Sequence, residues 1–154
     1  MHLPSPRLVF ASLAIVSCGL LVSGLALGEL VHLEPCYLCN FQRLLYIVIA
    51  LLSACACGLN RWPRFWGILI ALTALWGIAS AAEQSWMQFA PDQVTECGIS
   101  DPDLVEIIVN WLATKWPAMF MVTGFCTVKD WVFLGLTLAN WSALCFLALS
   151  GVAF

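Results

Sequence analysis

Four runs without a charged residue, 8–28, 44–59, 65–82 and 132–154, organise the pattern of apolar and polar positions along this chain. A helix rises about 1.5 Å per residue, so about 20 residues cross roughly 30 Å of hydrocarbon. The first and last runs clear that length and the third suffices. The second, 44–59, falls short and must extend back to about Asn40, because Asn60 and Arg61 close its other end. That extension carries Arg43 about one turn inside the membrane edge and leaves Cys39 at the rim. The pattern therefore predicts an all-α integral membrane protein: a single domain over 1–154, folded as a four-helix transmembrane bundle. Its spans are expected at 8–28, 40–59, 65–82 and 133–154, with loops at 29–39 and 83–132.

The second loop is too short and too apolar for a domain of its own, but one element in it is readable. Asp101 is a candidate N-cap and Pro102 a candidate first helical residue. Leu104, Ile107, Ile108, Trp111 and Leu112 then recur at helical spacing, opposite Asp103, Glu106 and Asn110. Such a helix is expected to lie parallel to the membrane, with Trp111 and Trp116 at headgroup depth. Pro117 and Gly124 break it before Cys126.

Composition agrees with this reading: 62% apolar residues, 10% charged and a mean hydropathy of +0.95 exclude an ordinary soluble domain. With both termini in the cytoplasm, Arg7, Arg61 and Arg64 lie inside and all nine acidic residues outside, the positive-inside arrangement. The cysteine-bearing loops then face the periplasm of a bacterial inner membrane, where disulfides persist. A net charge of −3 without a basic patch argues against nucleic acid. Ile15-Val16-Ser17-Cys18 has the look of a lipoprotein cleavage box, but the apolar run continues for ten residues beyond it, and the first helix is expected to remain uncleaved.

Four of the eight cysteines stand outside the apolar runs. Cys36-x-x-Cys39 has the spacing for a reversible disulfide at a helix start, with Pro35 before it and the helix N-terminus favouring a thiolate. Arg43 lies on the face of Cys39, one turn deeper. An arginine in hydrocarbon costs roughly 2.5–3.5 kcal/mol, so it needs a partner or a task; snorkelling to the headgroups is the plain alternative. Cys97 and Cys126 lie in the second loop. A zinc site is disfavoured, since these two are 29 residues apart with no histidine nearby. Cys18, Cys55, Cys57 and Cys145 read as small buried hydrophobes. His2 and His32 are isolated, and the tryptophans are mostly interfacial by position.

The stretch Leu33-Glu34-Pro35-Cys36-Tyr37-Leu38-Cys39-Asn40-Phe41-Gln42-Arg43 resembles the signature of the disulfide bond formation protein B (DsbB) family, quinone-linked thiol oxidases of the bacterial inner membrane. Two more stretches carry the resemblance: 86–98, ending Thr95-Glu96-Cys97-Gly98, and Gly124-Phe125-Cys126 followed by 130–136. The resemblance implies that Cys36, Cys39, Cys97 and Cys126 are catalytic, and that Arg43 and Gln42 contact the cofactor. It implies ubiquinone as that cofactor, with menaquinone as the alternative, and no metal. The implied partners are a periplasmic thioredoxin-fold thiol oxidase of the DsbA kind, the membrane quinone pool and the bilayer itself. The partner would attack Cys97, Cys126 would then attack Cys36, and Cys39 would be released as a thiolate beside the quinone.

The chain departs from the family pattern in places. Glu83-Gln84 stands where relatives often place a basic residue or histidine near the quinone, and Phe125 precedes Cys126 where Asp or Glu is usual. Asn140 stands near a frequent proline, and 132–154 carries no basic tail to strengthen the orientation signal. The alternative from another class is a non-enzymatic four-helix membrane subunit with structural loop disulfides; a narrower one is a relative dedicated to a single partner. An intramembrane arginine argues against a purely structural staple.

Overall fold

The computed structural model describes residues 5–59, 62–90, 103–129 and 131–153. Six helices and one minimal hairpin appear among them. They are α1 (Pro6–Val31), α2 (Tyr37–Leu59), α3 (Pro63–Phe89), α4 (Leu104–Lys115), α5 (Pro117–Phe120), β1 (Val132–Phe133), β2 (Leu136–Thr137) and α6 (Leu138–Ala153). Among the described residues α1, α2 and α3 are long and apolar enough to cross a membrane, and α6 is shorter but equally apolar. The chain is an all-α membrane protein.

The packing follows from side-chain size. The buried face of α3 carries Gly67, Ala71, Ala74, Gly77 and Ala81 at spacings of three and four, so α6 approaches it closely. Gly77 faces the Phe146 ring so tightly that a Cβ there would meet it at 2.6 Å. On its other side that ring stacks on Tyr46 of α2, with centroids 4.3 Å apart and planes 6° from parallel. The core is thus built where α2, α3 and α6 meet, around Phe41, Ile49, Ile70, Ala74 and Phe146. Helix α1 packs along α2 and touches α6 more lightly, burying only Phe10, Leu13 and Ser17. Toward its far end α1 therefore stands away from α6 and leaves a cavity.

Besides shifts of up to three residues at the other helix ends, three boundaries differ from the sequence reading. The last helix begins at Leu138, not at 133, because Val132–Phe133 pairs antiparallel with Leu136–Thr137 around a turn. Leu134 (φ 54°) and Gly135 (φ 79°) both occupy the left-handed region that such a two-residue turn requires. Trp141 then fastens the hairpin to α6 by donating to the Phe133 carbonyl at 3.2 Å. Helix α3 runs seven residues past 82, to Phe89, since Glu83 is exposed while Gln84 and Gln88, one turn apart, face inward. In the second loop the helix starts at Leu104, capped by Asp103, whose carboxylate accepts from the Leu104 N–H at 2.7 Å. The expected cap Asp101 and Pro102 lie outside the described residues.

Candidate active site

Cys36 stands at the entrance of α2, where its carbonyl accepts the Asn40 N–H at 3.1 Å. Cys39 follows one turn later. The two thiols face each other with 3.2 Å between sulfurs, roughly 1 Å beyond bonding distance. The sequence reading paired them, and the structure places them within reach of one another.

Cys126 joins them from ninety residues away, because the second loop lies directly on the segment before α2. The Thr123 and Gly124 N–H groups both donate to the Pro35 carbonyl, at 3.1 and 3.3 Å. Gly124 permits this: a Cβ there would stand 2.8 Å from the Glu34 Cβ and 2.9 Å from its carbonyl carbon, and closer still to the carbonyl oxygen. Cys126 is thereby buried against Cys36 and Leu38. Its contact, reinforced by burial, pushes the Cys36 thiol up to about 12 from the ordinary 9.0, against a lowering contact from Cys39. Cys36 is thus a sulfur kept protonated at neutral pH. Cys97 lies outside the described residues.

Arg43 is anchored to the protein itself. Its Nη1 donates to Asn40 Oδ1 at 3.1 Å and to the Met119 carbonyl of α5 at 3.0 Å. Asn40 is itself fully buried and donates to the Phe120 and Met121 carbonyls, at 2.9 and 3.1 Å. Helix α5 therefore clamps the guanidinium in place through carbonyls that have no further helix to serve. On the side away from α5, Arg43 and Cys39 both line a cavity of about 330 Å³ between α1, α2 and α6.

Most of that cavity wall is apolar, with Leu20, Leu21, Leu27, Leu138 and Trp131 prominent. Its polar groups sit at two levels. Arg43, Gln42 and Gln84 lie beside Cys39, and Tyr46, Ser142 and Cys145 line the deeper wall. The Tyr46 hydroxyl is 3.1 Å from the Ser142 hydroxyl. Gln42, expected to touch a cofactor, gives its amide nitrogen to Gln84 Oε1 at 2.9 Å. Besides the Cys36 thiol, the group that donates to the Cys39 sulfur is Gln84, through Nε2 at 3.0 Å. Sequence reasoning left the role of Gln84 open and assigned none to Tyr46 or Cys145; the signal for Gln84 was its one-turn spacing from Gln88 on an otherwise apolar face. Among the described residues no three His, Cys, Asp or Glu side chains are arranged so as to hold a metal ion.

Comparison with known proteins is consistent along the whole chain. The model of the family described as "Disulfide bond formation protein DsbB" matches residues 6–154. A protein of Dechloromonas aromatica (strain RCB) named "Disulfide bond formation protein B" is 47% identical over 140 residues, covering 91% of this chain and 85% of that relative. Proteins of the same name from Aromatoleum aromaticum and Paracidovorax citrulli are 42% and 34% identical, covering 92% and 95% of this chain and 86% and 83% of theirs. With three of its thiols gathered at the head of α2 and its matched region reaching from the first helix to the last, the chain belongs to the DsbB family of disulfide bond formation proteins.

Proposed function

We propose that this protein is a membrane thiol oxidase that reoxidises a periplasmic thioredoxin-fold disulfide donor and passes the electrons through two cysteine pairs to a membrane quinone. The observation that carries the proposal is the position of Cys39. It faces Cys36 and the loop cysteine on one side and an apolar cavity with a fixed cation on the other.

In this reading α1, α2, α3 and α6 span the bacterial inner membrane with both termini cytoplasmic, and the hairpin stands at the periplasmic rim. The exposed Trp111 and Trp116 hold α4 along the membrane surface. A cavity of about 330 Å³ is of the size that encloses a small ring ligand. A second groove, about 220 Å³ and almost wholly apolar, shares Leu20 and Cys145 with it and continues between α1 and α6, which suits an isoprenoid tail. Ubiquinone, or menaquinone, fits that combination of ring-sized space, cation and apolar corridor. When bound it supplies a two-electron sink beside Cys39.

The chain's own steps balance as thiol–disulfide exchange. A partner thiolate attacks Cys97, opening the Cys97–Cys126 bond and releasing Cys126 as a thiolate. Cys126 attacks Cys36, which opens the Cys36–Cys39 bond and leaves the electron pair on Cys39. The partner's second thiolate then frees Cys97 and leaves with a disulfide. Cys97 attacks Cys126 and displaces the Cys36 thiolate, restoring the loop bond. Cys36 and Cys39 together would give up two electrons to the two-electron sink and close their disulfide again, the two protons lost by the partner going with the electrons. Residue roles follow the geometry. Cys36, buried behind Cys126, is the sulfur attacked; Cys39, lining the cavity, is the leaving group. Arg43, fixed by Asn40 and Met119, offers a preorganised positive charge to an oxyanion in the cavity.

The test is quinone reduction by the purified protein, supplied with a reduced thioredoxin-fold donor and a short-chain ubiquinone. Serine at Cys36, Cys39, Cys97 or Cys126 is expected to abolish turnover, and serine at Cys18 or Cys55 to leave it intact. Full activity of Cys97→Ser would refute the relay.

A further inference from the structure

Breaking a disulfide against an apolar cavity creates an anion where water is scarce, and such an anion needs a donor already in place. The charged group nearest in sequence, Arg43, donates through Nη1 to Asn40 and Met119. Two groups donate to the Cys39 sulfur: the Cys36 thiol, its partner in the reaction, at 3.2 Å, and the neutral amide of Gln84, at 3.0 Å, itself 4% exposed. An amide can present either its oxygen or its nitrogen, and its neighbours decide which. Here Gln42 decides, because its own nitrogen donates to Gln84 Oε1 at 2.9 Å and so occupies the oxygen. The nitrogen of Gln84 is left facing sulfur.

We propose that Gln84, held in orientation by Gln42, stabilises the Cys39 thiolate released each time the Cys36–Cys39 bond opens. Gln84 touches the reacting atom and is a catalytic residue in that sense; Gln42 is a positioning residue. The arrangement stabilises the anion without adding a second charge to the bundle core. It rests on the proposed relay for its consequence in turnover, but the contact itself requires neither quinone nor partner.

The groups facing Cys39 from each element bound the effect. From α2 and its entrance come Cys36 at 3.2 Å and Arg43, and Cys126 stands behind Cys36. From α3 come Gln84 and Gln88. Glu34 shares a small space of about 50 Å³ with both thiols, and Glu29 and His32 at the end of α1 line a recess on the far side of Arg43. The residues contributed by the hairpin side, Trp131 and Leu138, are uncharged. Apart from the Cys36 thiol, Gln84 is thus the group of this set that donates directly to the sulfur.

The experiment labels the fully reduced, full-length protein with N-ethylmaleimide at neutral pH, without quinone or partner, and quantifies Cys39 adduct against Cys145 adduct by mass spectrometry. Cys145 lines the same cavity and serves as the reference for access. Labelling follows the thiolate fraction. Gln84→Met, close in size but unable to donate, is expected to lower the Cys39 to Cys145 ratio about tenfold, the lower end of what a hydrogen bond to a charged group contributes. Gln84→Glu, the same shape with the donor replaced by a carboxylate, lowers it further and serves if the methionine variant does not fold. Gln42→Met, which leaves the sulfur untouched, lowers it by less. A ratio that is unchanged or raised in the Gln84 variants overturns the proposal, and one unchanged only in Gln42→Met overturns the orienting role of Gln42. A wild-type protein that failed to reduce quinone would sink the proposed function while leaving this result in force.

Discussion

Gly124→Ala tests whether the relay depends on where the second loop rests, since it alters no cysteine. The new Cβ would stand 2.8 Å from Glu34 Cβ and 2.9 Å from the Glu34 carbonyl carbon, and closer to the carbonyl oxygen. Ordinary carbon contacts lie near 3.5–4.0 Å, so the loop must withdraw by about 1 Å. The obstacle is mostly backbone, held by Pro35 on one side and the start of α2 on the other, so it has little room to yield. Withdrawal by that amount stretches the 3.1 and 3.3 Å hydrogen bonds from Thr123 and Gly124 to Pro35 beyond useful length. At about 1 kcal/mol each, their loss costs roughly 2 kcal/mol of loop docking. Cys126, two residues on, moves with the loop. A 1 Å misplacement of reacting atoms costs on the order of a hundredfold, so donor-driven quinone reduction should fall by one to two orders of magnitude. The comparison is reduction driven by a small dithiol that reaches Cys36–Cys39 without the loop pair, which should keep most of its rate and so exclude general unfolding. Donor-driven turnover at the wild-type rate would refute the argument that loop docking sets the encounter of Cys126 with Cys36.

Two further predictions address the other groups of the site. Arg43→Lys keeps a cation but loses the planar guanidinium whose Nη1 donates to both Asn40 and Met119, and should raise the apparent quinone KM a few-fold; Arg43→Met removes an interaction of about 4 kcal/mol at 4 Å and an effective dielectric near 20, and should raise it at least tenfold. The first exchange with the partner, followed by stopped flow, should stay at its wild-type rate in both; an unchanged KM in Arg43→Met would leave the arginine as an α5 clamp and nothing more. For Cys36, raised to about 12 by the Cys126 contact and burial, labelling of the reduced protein should keep climbing about tenfold per pH unit from neutrality to about pH 10, without the levelling near 9 of an ordinary thiol. An acid so raised favours the fold fully below about 9 and loses that contribution as pH rises toward 12, so alkaline melting of the reduced protein should be eased by this thiol, and a labelling plateau by pH 9 would count against its burial behind Cys126.

How far the sequence could be read depended on the range of the interaction involved. Membrane helices answer to a one-dimensional rule, uninterrupted apolar length, and α1, α2 and α3 were legible on that account. The same rule misplaced the start of α6, because Val132, Phe133, Leu136 and Thr137 are as apolar as helix residues yet β-branched or aromatic at three of four positions. Leu134-Gly135 was the turn signal to weigh against hydropathy. The rule also stopped α3 too early: one exposed glutamate ends an uncharged run but not a helix, and the Gln84 and Gln88 spacing was the better guide. Within the site, the Cys36–Cys39 pair and the depth of Arg43 are local facts of one helix and were readable from spacing. What brings Cys126 to them is a glycine packed on a backbone carbonyl ninety residues away, and neither hydropathy nor periodicity records such a contact. Much the same holds for Arg43. Spacing placed it beside Cys39 and suggested that it serves the thiolate, but the carbonyl of Met119 and the side chain of Asn40 hold it, and a neutral amide from α3 meets the sulfur. A cation fixed at the cavity wall and a dipole at the sulfur are different instruments. The first is suited to charge developing on a ligand, and the second to charge developing on the protein. The departure at Gln84 from the basic residue or histidine frequent in relatives therefore need not weaken the site: it leaves Arg43 as the cation of the cavity and gives Cys39 a donor of its own.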